Sequence, residues 1–225
     1  MLGVLANSGA VLIGGIIGML FGNRISSKYT DALMIALGLA TMGMGVASVV
    51  GTTDVLCIIV CCSLGTVIGE LLRIDDGVNA LGRVAETKLG GKAGGKGNFT
   101  SAFVSCAIMF CIGSMAVMGS VEAGINGDNS ILFAKAVLDL IAALAFGAGM
   151  GLGAAMSFAC VLIVEGGLTL LAGALAPLLT DAIVTEMSAV GGVLLIGLAI
   201  NLLNLRPQPI KIANMLPAVF LPAAY

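Results

Sequence analysis

Lys135 and Asp139 sit four residues apart inside "SILFAKAVLDLIAALAF", residues 130–146, a stretch otherwise apolar enough for a lipid bilayer. A charge at the bilayer centre costs at least about 2.5 kcal/mol. A retained pair must therefore face other helices or a water-filled path, and the i, i+4 spacing puts both groups on one helix face where they can pair. The chemistry open to them is cation or proton binding at Asp139 with Lys135 as the resting counter-charge. The alternative is an ion pair that only pins a helix. Glu165 is a second carboxylate in an apolar segment, followed directly by Gly166 and Gly167, each of which weakens a helix by about 1 kcal/mol. A mid-membrane carboxylate beside a weakened helix is the arrangement of broken-helix substrate sites in transporters. A neutral glutamate hydrogen-bonded to another helix is the rival reading.

The remaining polar candidates have simpler explanations. Glu70 lies three residues before Arg73 and suits an interfacial ion pair. "GINGDNS" reads as a turn and helix start capped by Asp128, Asn129 or Ser130, and Asp128 with Glu122 could form an acidic vestibule. Asn7, Ser8, Asn201 and Asn204 are expected to make interhelical hydrogen bonds. Cys57 and Cys61 share a face and could hold a metal as thiolates. With no histidine in the chain and no acidic residue at matching spacing, the six cysteines read instead as small hydrophobes. No metal or cofactor is expected. "GGKAGGKGN" nearly matches a phosphate-binding loop, but Gly97 follows Lys96 where Ser or Thr is needed and no strand precedes it. With neither an ATPase loop nor an acid–base pair at a mouth, the chain reads as a non-enzyme.

These residues must be carried by membrane helices. The 225 residues are 59% hydrophobic and 10% charged, with a mean hydropathy of +1.15, too apolar to cover a soluble domain of this size. A net charge of −2 gives no reason to expect a nucleic-acid partner. A span needs about 20 apolar residues, and seven stretches qualify: 2–22, 31–50, 55–72, 99–119, 131–148, 154–176 and 187–205. Arg24 and Lys28 follow the first, Arg73, Arg83, Lys88, Lys92 and Lys96 the third, and Arg206 and Lys211 the seventh. The loops at 51–54, 120–130 and 177–186 carry Asp54, Glu122, Asp128, Asp181 and Glu186 and no basic residue. The positive-inside rule then predicts a single all-α transmembrane bundle with its N-terminus out and C-terminus in.

The loop 73–98 divides into an amphipathic helix over 75–89 and a Gly/Lys linker. The tail 206–225, with Pro217 and Pro222, reads as interfacial or re-entrant. "VLIGGIIGMLFG" followed by "TDAL" echoes "VLIVEGGLTLLAG" followed by "TDAI" at a constant offset of 150 residues. Helices one and six run in opposite directions in the seven-span order, so such a pair would be an inverted-topology repeat. Gly14, Gly18 and Gly22, and likewise Gly65 and Gly69, recur every fourth residue as packing ridges. They could serve self-association as readily as internal packing.

"NSGAVLIGGIIG", "GTVIGELLRIDDGVNALG" and "CIGSMAVMGSVEAGINGDNSILFAKAVLDLIAALAF" resemble the DUF554 (YdfK/YqgA-like) family of bacterial membrane proteins over essentially the whole chain. The resemblance implies a multi-pass protein of the bacterial plasma membrane and supplies no substrate or site residue. The residues themselves favour a secondary transporter or channel for a small cationic or zwitterionic solute, coupled to protons carried by Asp139 or Glu165. A structural or assembly protein without transport activity is the other reading. A water-accessible path touching both carboxylates would favour transport, and a closed bundle the structural role.

Overall fold

The computed structural model describes residues 1–22, 27–80, 99–111 and 113–225. These residues form α1 (Leu2–Gly22), α2 (Ser27–Val50), α3 (Val55–Leu72), α4 (Phe99–Cys111), α5 (Ser114–Ile125), α6 (Ser130–Met150), α7 (Leu152–Met156), α8 (Phe158–Leu170), α9 (Ala172–Leu175), α10 (Asp181–Leu202) and a 3-10 helix over Ile212–Ala223. No strand occurs among them. Residues 74–80 are helical; the rest of the expected amphipathic helix and the Gly/Lys linker lie outside the described residues. Six helical segments are long and apolar enough to cross a membrane, and α4 with α5, bent by 58° to each other, are so as a pair, either one broken span or a re-entrant loop. The protein is therefore a polytopic transmembrane helical bundle.

The tightest packing joins α1 to α6. Gly14, Gly18 and Gly22 present bare backbone to Leu140, Leu144 and Ala148, while Gly147 of α6 does the same to Gly15. Both ridges repeat every four residues in the same direction, so the two helices run parallel with their main chains nearly touching. Without a hydrophobic drive between helices in lipid, such close approach is what holds them together. The burial of α6 follows from it. Leu132, Lys135, Ala136, Asp139, Ala143 and Phe146 are buried, whereas Val137, Leu138, Ile141 and Leu144 are exposed to the space that lipid would fill. This is a soluble helix turned inside out, with charges inward and hydrocarbon outward.

α2 packs antiparallel on α10 through Gly45 and Gly192. Glu186 of α10 closes the α2–α3 turn by accepting from Thr52 Oγ1 (2.5 Å), Thr53 N (2.8 Å), Thr53 Oγ1 (3.0 Å) and Asp54 N (3.2 Å). Gly151, at φ +78°, turns the chain from α6 into α7 in a conformation that favours glycine.

The tail differs from its expected interfacial or re-entrant course. It runs antiparallel along α3, with Asn214 over Gly69 and Ala218 over Gly65, and brings Tyr225 beside Asp54. That is the acidic end of the bundle, opposite the basic end where a C-in tail would finish. At about 2.0 Å per residue the twelve 3-10 residues of Ile212–Ala223 cover about 24 Å, close to the roughly 27 Å of the 18-residue α3. Asn214 anchors it, accepting from Asp75 N at 2.7 Å and donating to Glu70. Asn214→Leu should remove both bonds, leaving exposed Glu70 to Lys211 and water, a loss of about 1 kcal/mol. Carboxypeptidase should then trim the tail several-fold faster than in the wild type, and equal trimming rates would show that the anchor is not Asn214.

Candidate functional site

α1, α6 and α8 meet around four polar side chains. Lys135 and Asp139 are paired as the i, i+4 spacing predicts. The Lys135 ammonium also lies 3.5 Å from Glu165 Oε1, and the same oxygen accepts from Asn7 Nδ2 at 2.8 Å. Asn7 and Glu165 are fully buried, with Lys135 and Asp139 exposed by only 6% and 8%. One ammonium thus serves two carboxylates. Glu165 Oε2 and Asn7 Oδ1 are buried without a hydrogen-bond partner. A cluster with a single ammonium and two carboxyl groups is neutral only when one carboxyl is protonated or a second cation is present. An uncompensated buried charge is costly by several kcal/mol.

The helix break lies elsewhere than at Gly166–Gly167. α8 runs unbroken from Phe158 to Leu170 through both glycines. Their combined propensity penalty, about 2 kcal/mol, is smaller than the several kcal/mol lost for each backbone group left unsatisfied in hydrocarbon. The sharpest discontinuity among the described residues is between α4, which ends at Cys111, and α5, which begins after Gly113. Gly/Ser pairs are a recognised cause of sharp kinks, so Gly113–Ser114 was the signal available in the sequence. Cys111, at the break, lies within electrostatic range of Lys135, Glu165 and Asp139. The Phe110 ring meets Phe146 of α6 edge-on at 6.5 Å.

Glu165 is fully buried and Asp139 and Lys135 nearly so in this conformation. A separate cavity of about 490 Å³ lies between α4, α5, α8, α10 and the tail. Its walls include Phe103, Cys111, Cys160, Leu168 and Phe220, almost without polar atoms. Cys111 is common to the cavity wall and the surroundings of the cluster.

The other candidates are not gathered here. Glu70 reaches the tail, with Lys211 Nζ 3.4 Å away, and not Arg73. Asn201 holds the turn after α10, donating to Ile210 O (2.9 Å) and accepting from Ile210 N (2.8 Å), instead of bridging helices. Glu122 accepts from Asn126 at 2.7 Å on the surface. Asp128 accepts from Ser130 N (2.9 Å) and Ser130 Oγ (2.6 Å), and these bonds hold its carboxyl below the usual carboxylate range. Ser8 donates to the carbonyl of Leu5 in its own helix. The thiols of Cys57 and Cys61 are 3.7 Å apart, and among the described residues no third cysteine or acidic side chain joins them as a metal site.

Compared with known proteins, the chain is similar to the uncharacterized protein YqgA of Escherichia coli (strain K12), at 30% identity over 222 residues, covering 98% of this chain and 94% of that protein. It is also similar to the uncharacterized membrane protein YdfK of Bacillus subtilis (strain 168), at 26% identity over 226 residues, with coverages of 99% and 94%. No solved structure matches it. Residues 2–225 match the family described as "Protein of unknown function (DUF554)". This helical bundle, with its charges turned inward, is a multi-pass membrane protein that belongs to the DUF554 family.

Proposed function

We propose that the protein is a proton-coupled secondary transporter of a small organic cation or zwitterion in a bacterial plasma membrane, held here in an occluded state. The observation that carries this reading is the buried cluster in which one lysine serves two carboxylates. A purely structural pin needs one acid, and the second leaves a charge that a proton or a substrate cation can satisfy in turn. The break at Gly113 supports it, because discontinuous helices bring backbone ends to such sites. So does the arrangement of the 150-residue echo. α1 touches α8, α2 touches α10 and α3 touches the tail, the pairs that an offset of 150 residues relates, and two related halves could rock against each other. The chemistry involved is binding and proton exchange, not catalysis of a covalent step.

A structural role without transport is the second reading, favoured by the sealing of the cluster. Uptake and efflux of a solute panel in reconstituted vesicles separates the two. Wild type should move an organic cation or zwitterion under a proton gradient, with the rate reduced at least tenfold in Asp139→Asn and Glu165→Gln. Equal movement by all three proteins would remove the cluster from the pathway. Folded wild type that moves nothing across the panel would favour the structural role.

A further inference from the structure

We propose that Glu165 is the proton-binding residue of the cluster and stores its proton in a reciprocal acid–amide pair with Asn7, while Lys135 and Asp139 remain a fixed ion pair. This rests on the transport reading for its consequence but not for its test. The Asn7 amide already donates from Nδ2 to Glu165 Oε1 at 2.8 Å. The atoms left over, Glu165 Oε2 and Asn7 Oδ1, are the other two corners of the same pair of groups, and both lack a partner. Both are acceptors while Glu165 is ionised, so neither can satisfy the other. A proton on Oε2 turns it into a donor, and its natural acceptor in the pair is Asn7 Oδ1. A single proton thereby settles two buried orphan atoms and the charge of the cluster together, which fits the rule that buried polar groups are hydrogen-bonded.

The groups around Glu165 agree with this assignment. Asn7 comes from α1, Lys135 and Asp139 from α6, and Cys111 from the end of α4. Lys135 is the one cation among the described groups there, and it is committed to Asp139, with Glu165 3.5 Å away. With Glu165 protonated, the cluster carries one positive and one negative charge. When a monovalent cation replaces the proton, Glu165 becomes a carboxylate and the sum is again zero. The proton passes to water on whichever side the site has opened. Transport should then exchange one proton for one monovalent cation and respond to a pH gradient, not to membrane potential.

Infrared spectroscopy of the purified full-length protein in lipid tests the assignment without any transported solute. Near neutral pH the wild type should show one carbonyl stretch of a protonated carboxyl, shifted in heavy water. Carbon-13 at the side-chain carboxyls of glutamate should move it, carbon-13 at those of aspartate should not, and Glu165→Gln should abolish it. Glu165→Gln can keep the paired geometry, because its amide donates to Asn7 Oδ1, so it should unfold at the wild-type temperature. Absence of the band in wild type, or its movement by labelled aspartate, would overturn the proposal. If the band behaves as expected and no solute moves in vesicles, the proton site stands and the transport reading falls. If solute moves and its rate follows membrane potential, the one-for-one exchange is wrong while transport stands.

Discussion

Lys135→Met should destabilise the protein more than any other single change in the cluster. It removes the ammonium beside two buried carboxyl groups, and breaking a buried pair from one side costs about 3–5 kcal/mol. Protonation of both acids can recover part of this, at the expense of leaving two acidic groups to find acceptors in an apolar interior. The expected result is a large fall in the thermal midpoint of the protein in detergent and in its yield from membranes. The triple variant Lys135→Met/Asp139→Leu/Glu165→Gln should return most of the lost stability, because it removes the charges together and keeps an amide for Asn7. That contrast separates charge balance from packing. If Lys135→Met unfolds at the wild-type temperature, the ammonium does not hold the two acids, and the cluster has been misread.

A second large effect should come from Gly18→Leu. A side chain there would run directly into the Leu144 carbonyl and the Ala148 nitrogen of α6. These are backbone atoms, so no rotamer change relieves the overlap. Overpacking in a filled interior usually costs about 1–3 kcal/mol, and here it also prises α1 from α6 along the ridge that positions Asn7 against Glu165. Gly9→Leu is the matched control, since nothing lies within 4 Å of a Cβ at that position. Gly18→Leu should lower the thermal midpoint and, at temperatures where it remains folded, weaken proton binding at Glu165. Gly9→Leu should do neither. Equal behaviour of the two would mean that the α1–α6 contact is softer than its geometry.

What could be read from the sequence follows the range of the interaction concerned. Lys135 and Asp139 are four residues apart on one helix, so their pairing needs only helical geometry. Gly14, Gly18 and Gly22 declared a packing ridge for the same reason. That α6 is their partner, and that Glu165 comes to the same ammonium, depends on how α1, α6 and α8 pack, which no local spacing encodes. Asn7 was visible as a polar residue in an apolar run, but not that Glu165 is its partner. Glu70 shows the opposite error. Arg73 was the near neighbour in sequence, while Lys211 and Asn214 are the neighbours in space. The break expected at Gly166–Gly167 occurs beside Gly113 because propensity is a weak term against the backbone hydrogen bonding that hydrocarbon enforces. Gly113 borders the apolar cavity.

The stretched C-terminal segment bears on the parity of the chain. Seven crossings would leave the two termini in different compartments. If the tail also crosses alongside α3, Tyr225 returns to the end of the bundle that holds Asp54, the same end at which Gly3 of α1 is held by Asn129. A reporter fused after Tyr225 would then share its compartment with one placed before Met1. A reporter after Tyr225 found in the other compartment would show that the tail lies along α3 without crossing.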